Sequence, residues 1–153
     1  MKRALAIVIF VAACGGKSTN KPAEPMPGHD EHGEMAGMPP ELGKFHDLLA
    51  PRYHAEKGPK RMADTCGAMA DFKAAADALN KATPPAKANV AAWQQENKEL
   101  AEALTGMETV CKGTDQAAFD QAFEHMHHEF EEIVEAGQGK AEGPEGKEEK
   151  GGY

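Results

Sequence analysis

Histidine and methionine are the residue types in this 153-residue chain with the clearest capacity for chemistry, because imidazole and thioether groups bind transition metals. Seven histidines and eight methionines are present, and most of the histidines fall in two short segments. The candidate ligands in segment 26–38 are His29, His32, Met35 and Met38. The candidate ligands in segment 124–132 are His125, His127 and His128. Thioethers favour Cu(I) and imidazoles bind copper in either oxidation state, so these groups predict a transition-metal site, for copper before zinc.

Segment 26–38 separates its ligands with glycines, which would let a flexible chain wrap around one ion. Its composition is similar to that of the Met/His-rich stretches of bacterial periplasmic copper-handling proteins. That resemblance covers about 13 residues and implies copper binding. The alternative is an inert linker that contains a few histidines and methionines.

Segment 124–132 is expected on a helix. His125 and His128 are three residues apart, and His128 and Glu132 are four apart, so each pair shares a helical face and could hold one ion. If Phe123 and Met126 face the core, these histidines point mostly to solvent. A solvated polar face is therefore the alternative to a weak surface chelate.

His46 offers a partner for His127 across two helices. One register of the first predicted helix, with Leu42, Phe45 and Leu49 in the core, places His46 on a flank equivalent to that of His127. Antiparallel neighbours would then bring the two rings together, with Asp47 or Glu131 nearby. The other register turns His46 away, and a structural histidine is the alternative at both positions. His54 lies about 12 Å from His46 along a helix axis, too far to share its ion.

Apolar residues recur at intervals of three and four throughout segment 41–136, which predicts the helices that would position these ligands. The first helix begins near Glu41 and kinks or ends at Pro51. The others run from Pro59 to about Thr83, from Asn89 to Gly113, and from Thr114 or Asp115 to Gly137. Their core positions are Leu42, Phe45, Leu48 and Leu49; Met62, Cys66, Met69, Phe72, Ala76 and Leu79; Val90, Trp93, Asn97, Leu100, Leu104, Met107 and Cys111; and Phe119, Phe123, Met126, Phe130 and Ile133.

Short connections favour antiparallel neighbours, so the predicted fold is all-α, a four-helix up-down antiparallel bundle. A three-helix core with a short first helix packed across it is the alternative. The predicted organisation is a signal peptide at residues 1–13, a flexible lipid-anchored tether at 14–40, the helical bundle at 41–136 and a disordered tail at 137–153. The tether and tail are rich in Gly, Pro and charge and lack apolar periodicity.

The start of the chain carries a targeting signal. Residues 1–14, MKRALAIVIFVAAC, place Lys2 and Arg3 before an apolar run that is too short to span a bilayer of about 30 Å. Residues 11–14, VAAC, resemble the lipobox of bacterial lipoproteins. The resemblance implies cleavage before Cys14, a diacylglyceryl group on its thiol, and a lasting membrane anchor once further chains such as palmitate are added. Gly15 follows in place of the aspartate that retains lipoproteins at the inner membrane, which implies the periplasmic face of the outer membrane if the cell is Gram-negative.

The two remaining cysteines, Cys66 and Cys111, are expected to pair in an oxidising compartment. Closing a loop of about 45 residues would stabilise the fold by roughly 4 kcal/mol in the chain-entropy model. Counting helical rise from the connecting loop leaves the two cysteines offset by roughly 7 Å, which the loop has to absorb. The alternative is two small, buried, reduced side chains.

Composition narrows the function classes. A formal net charge of −8 opposes binding to nucleic acid and to anionic lipid. No phosphate loop or nucleophile motif is present, and the acidic residues are expected on outer, solvated faces, so the chain is predicted not to be an enzyme. The leading hypothesis is a lipid-anchored bundle that binds or buffers copper or zinc. A structural lipoprotein that docks to an envelope partner and a pH-responsive module are the alternatives, and the oligomeric state is left open.

Overall fold

The computed structural model describes residues 35–140; residues 1–34 and 141–153, which include Cys14, His29, His32 and most of the predicted tail, lie outside it. The described part is all-helical, without a strand. Its helices are α1 (Pro40–Tyr53), α2 (Pro59–Gly67), α3 (Met69–Asn80), α4 (Val90–Val110) and α5 (Gln116–Gly137). Within residues 35–140, none of them combines the length and the apolar character that crossing a bilayer requires.

Side-chain caps fix where the two long helices begin. The side chain of Asn89 accepts a hydrogen bond from the backbone N–H of Ala92 at the start of α4. Asp115, rather than Thr114, accepts from two N–H groups in the first turn of α5. These bonds satisfy donors that a helix N-terminus otherwise leaves without partners. Pro51 does not end α1, which continues to Tyr53.

The single second helix expected from residue 59 onward is wrong in one respect, because the chain breaks at Ala68 into α2 and α3. Ala68 has φ −97° and ψ 5°, and its N–H bonds to the carbonyl of Thr65, three residues back. Gly67 precedes the break, and glycine costs a helix interior about 1 kcal/mol relative to alanine. The break lets α2 contact α1 and α5 as well as α3.

The helices enclose one apolar core. The most extensive contact is between α4 and α5; α3 also packs on α4, and α1 packs on α3 and α5. Phe45 of α1 lies at its centre, with ring centroids 5.4 Å from Phe72 and 5.6 Å from Phe130. Leu42 and Leu49 are fully buried with it. The first helix therefore adopts the register that places His46 on its flank.

A disulfide bond joins Cys66, in the last turn of α2, to Cys111, which caps the C-terminus of α4. The Cα atoms of the pair are 5.4 Å apart. In the fold Cys66 belongs to the separate helix α2, so the offset counted along one continuous second helix does not apply.

Candidate metal centre

The two exposed histidines of α5 lie where the heptad count places them. The side chains of His125 and His128 are 59% and 61% exposed. Each faces a carboxylate four residues further along the helix: His125 Nε2 lies 3.2 Å from Glu129 Oε1, and His128 Nε2 lies 3.8 Å from Glu132 Oε1. Both histidines therefore face acidic groups of their own helix.

His46 and His127 lie on the walls of one cavity between α1 and α5. The ring of His127 stacks on Tyr53 with centroids 3.6 Å apart, and the ring of His46 stacks on Phe130 at 5.7 Å. Within residues 35–140, however, no set of three His, Cys, Asp or Glu ligand atoms converges around these two rings. Glu131 lies beside this cavity, with Oε1 3.6 Å from His127 Nδ1, and the metal site expected between the two histidines stays a prediction.

Met35 and Met38, expected on a flexible tether, are half-buried and pack against the core. The thioether of Met38 lies over Gly137, where a Cβ atom would come within 2.6 Å of its sulfur. Gly137 thus leaves room for this methionine beside Trp93. Met35 contributes to the same cavity wall as His46 and His127.

The group of three metal-ligand side chains that does converge within the described range is formed by Glu96, Glu99 and Glu129. One carboxylate oxygen from each lies within 4.8 Å of the other two. Glu96 and Glu99 belong to α4, and Glu129 faces them from α5. Only 1% of Glu96 and 5% of Glu129 is exposed, while Glu99 is partly exposed. We call these three residues the carboxylate cluster.

One oxygen atom of the cluster lacks a hydrogen-bond partner among the described residues. Gln95 Nε2 donates to Glu99 Oε1 at 2.6 Å. Glu129 Oε2 is buried and has no hydrogen-bond partner among residues 35–140. His125 Nε2 lies 3.2 Å from the other oxygen of Glu129, Oε1. A buried carboxylate oxygen without a donor is costly, and a cation would satisfy it.

The negative charge of the cluster raises the pKa of Glu129. Burial raises the pKa of this carboxyl, and the negative charges of Glu99 and Glu96 raise it further; His125 and His128 oppose the shift. Carboxylates this close repel one another when ionised, and a shared proton or a cation would relieve the repulsion. The arrangement could therefore hold a metal ion.

Sequence reasoning missed this cluster because it placed the acidic residues on outer faces, which is wrong for Glu96 and Glu129. Glu96 follows Trp93 by three residues and precedes Leu100 by four, so it occupies a core position of α4. Glu129 has the same relation to Met126 and Ile133 on α5. An acidic residue that falls on an apolar stripe was the signal that could have found it.

A second buried polar group has a structural role. The Arg61 side chain is 1% exposed and donates to Asp120 Oδ1 at 2.7 Å and to the Tyr53 carbonyl at 3.2 Å. The Tyr53 hydroxyl donates to Glu124 Oε2 at 2.7 Å, which raises the pKa of Tyr53 to about 12. Hydrogen bonds from Arg61 and from Tyr53 lower the pKa of Asp120 and Glu124 respectively. Asp120 and Glu124 each accept a hydrogen bond, whereas Glu129 Oε2 accepts none among the described residues, so this group ties α1 and α2 to α5.

Comparison with known proteins finds no matching family model, curated protein or solved structure for this chain.

Proposed function

We propose that this chain is a non-catalytic, lipid-anchored envelope protein whose helical domain binds a divalent transition-metal ion at the carboxylate cluster. The observation that supports the proposal best is the convergence of Glu96, Glu99 and Glu129 from two facing helices, with Glu129 Oε2 buried and without a donor among the described residues. Three protein ligands leave at least one coordination position for water.

The donor set indicates which ions it would take. Three carboxylates are hard ligands without sulfur, which favours Mn(II), Fe(II) or Zn(II) and disfavours Cu(I). Ca²⁺ prefers six to eight oxygen ligands, more than this cluster offers. For this centre the order of preference expected from the sequence, copper before zinc, is therefore reversed.

The proposal includes the finer fold prediction of a four-helix up-down antiparallel bundle. In this interpretation α2 and α3 form one interrupted arm, and α1, α4 and α5 form the others. Contacts of α1 with α3 and α5, together with the α3–α4 and α4–α5 contacts, support a closed four-membered arrangement over a three-helix core. In such bundles, metal sites are commonly built from carboxylate and histidine side chains on facing helices.

Attachment through lipid on Cys14 is proposed from the lipobox resemblance, and with it, if the cell is Gram-negative, a location on the periplasmic face of the outer membrane. Growth with a labelled fatty acid should give a labelled wild-type protein and an unlabelled Cys14→Ser variant. Label retained in that variant would refute this part of the proposal without affecting the metal site.

The alternative of a partner-binding lipoprotein would be favoured by an exposed apolar groove beside α1. Among residues 35–140, the one large apolar side chain that is exposed is Val90, at the start of α4. No observation thus favours this alternative over metal binding.

Metal titration of the full chain, freed of metal with a chelator, tests the proposal. We expect about one Zn(II) or Co(II) per chain, and affinity reduced at least 100-fold in Glu129→Gln and Glu96→Gln, because loss of an outer-shell group alone costs about 10–100-fold. Glu102→Gln is the matched control, because this α4 carboxylate is 68% exposed.

His128→Ala, at an exposed position of the same helix, is a second control and should leave the affinity unchanged. If Glu129→Gln bound Zn(II) and Co(II) as tightly as the wild type does, the site would be refuted.

A further inference from the structure

Residues 35–39, which we call the strap, form a turn that packs against the bundle just before α1 begins at Pro40. The N–H of Met38 donates to the carbonyl of Met35 at 3.0 Å, and Gly37 between them has φ +86°. This bond, with a positive φ at the third of four residues, is typical of a type II turn, a conformation that glycine adopts without steric cost. The turn has Met35 and Met38 at its two ends, and both pack against the core.

The side chain of Met38 occupies a space that is left because residue 137 is a glycine. A Cβ atom on Gly137 would lie 2.6 Å from the sulfur of Met38 and 3.1 Å from Cζ3 of Trp93. The thioether and the indole ring therefore share one small region, and thioethers make favourable contacts with aromatic rings at about 5 Å. Trp93 is 2% exposed, whereas Met38 is half-buried, so small solutes can reach this methionine.

We propose that Met38 is an oxidation site, with hydroperoxides as the oxidant, and that formation of its sulfoxide releases the strap from the bundle. The sulfur lone pair attacks one oxygen of hydrogen peroxide, so that an S–O bond forms and the O–O bond breaks. The proton of the transferred hydroxyl passes to the departing hydroxide, which leaves as water. The sulfur is oxidised by two electrons and the peroxide is reduced. This site goes beyond the proposed function, because it uses neither the carboxylate cluster nor a metal ion.

The sulfoxide is poorly suited to the place that the thioether occupies. Oxidation turns a flexible apolar side chain into a polar one, which disrupts apolar packing. A polar oxygen held against Gly137 and the buried ring of Trp93 would lose its hydration, and that loss is costly. The oxidised side chain of Met38 therefore moves into solvent, and the strap loses one of its two anchors on the core.

Release of the strap changes the surface of the bundle on both of its sides. Met35 lines the cavity between α1 and α5, and Met38 lines a second cavity beside residues 85–87. Gln138 and Lys140 line both cavities, so the two are neighbours. Once the strap is released, the two cavities join into one larger opening.

The fluorescence of Trp93 tests the proposal, because this is the single tryptophan of the chain. Treatment of the full chain with hydrogen peroxide should add one oxygen to Met38, located by peptide mass spectrometry, and should move the Trp93 emission to longer wavelength. Met38→Leu keeps the apolar volume, and its emission should not move. Met62→Leu is the matched control, because Met62 is also partly buried against the core, and this variant should respond as the wild type does.

Two further measurements separate release of the strap from general damage. Gly137→Ala places a Cβ atom 2.6 Å from the Met38 sulfur, so its emission should be shifted before any peroxide is added. Hydrogen exchange of the Met38 N–H, which donates to Met35, should become faster in the oxidised protein. A peroxide-induced shift as large in Met38→Leu as in the wild type, or a Met38 sulfoxide that leaves the emission and the exchange unchanged, would overturn the proposal.

Discussion

Replacement of Glu129 by Gln in the metal-free protein should stabilise the fold at pH 8. Each pair of cluster oxygens lies within 4.8 Å, and two unit charges at that distance repel by about 3.5 kcal/mol at an effective dielectric constant of 20. The protein can relieve this repulsion by holding a proton. Keeping a carboxyl of ordinary pKa near 4.5 protonated at pH 8 costs about 5 kcal/mol, at 1.4 kcal/mol per pH unit.

Counting only the buried pair Glu96–Glu129, since Glu99 is partly exposed, the substitution removes repulsion of about 3.5 kcal/mol but also loses the contact with His125. That contact is charged only when the imidazole is protonated, and His125 is 59% exposed, so its loss costs at most about 1 kcal/mol. Repulsion therefore dominates. The expected net gain is about 2 kcal/mol at pH 8, or a Tm increase of roughly 8 °C or more for a domain of this size.

The gain should depend on pH in a defined direction. Because the pKa of Glu129 is raised in the folded state, the folded protein retains a proton that the unfolded chain releases. The wild type thus loses stability as pH rises from about 4.5 through the folded pKa. Glu129→Gln should lack this loss, and the two proteins should converge below pH 4.5.

Urea unfolding in the presence of a chelator, at pH 4 and at pH 8, measures these differences. The control Glu102→Gln should change stability by less than about 0.5 kcal/mol. Addition of Zn(II) at 100 times its Kd should stabilise the wild type by about 2.7 kcal/mol and leave Glu129→Gln unchanged. Metal-free Glu129→Gln that is no more stable than wild type at pH 8 would show that the cluster carries no unrelieved repulsion, and the electrostatic reason for a cation would disappear.

Three other perturbations test the fold around the sites. Reduction of the Cys66–Cys111 bond, which closes a sequence separation of 45 residues, should cost about 4 kcal/mol, and an unchanged urea midpoint after reduction would contradict this. Asp120→Asn should cost about 2–3 kcal/mol, because Arg61 loses a partner while buried. Since the pKa of Asp120 is lowered, its stabilisation is present above about pH 4 and lost as pH falls through the folded pKa; an acid unfolding midpoint equal to that of the variant would argue against the pair. Phe45→Ala removes a fully buried ring and should lower stability by about 3–5 kcal/mol in a thermal melt, and a loss under 1 kcal/mol would place the core elsewhere.

The helices of this chain could be predicted from the sequence because their signals are local. Apolar spacing and the caps at Asn89 and Asp115 identify α4 and α5 closely. The break at Ala68 could not be predicted in the same way. Gly67 lowers helix propensity only slightly, and what decides between a bent and a straight arm is tertiary contact, including those of α2 with α5.

The candidate sites show the same difference between local sequence signals and tertiary contacts. The flank position of His46 followed from one register of α1, and the structure adopts that register. The carboxylate cluster depends on which residues of α4 face which residues of α5. Glu96 and Glu129 are separated by more than thirty positions in the chain, and only the packing of the two helices brings their carboxylates together.

The cost of the carboxylate cluster itself supports a function for it. Glu96 and Glu129 occupy core positions where apolar side chains would stabilise the interface between α4 and α5. A domain of about this size is stable by only 5–15 kcal/mol, so repulsion of about 3.5 kcal/mol for each charged pair is a large part of the margin. Buried polar groups that break the rule of an apolar core tend to occur at functional sites. The α4–α5 interface is the most extensive in the fold, so the apolar contacts around the cluster offset part of this electrostatic cost.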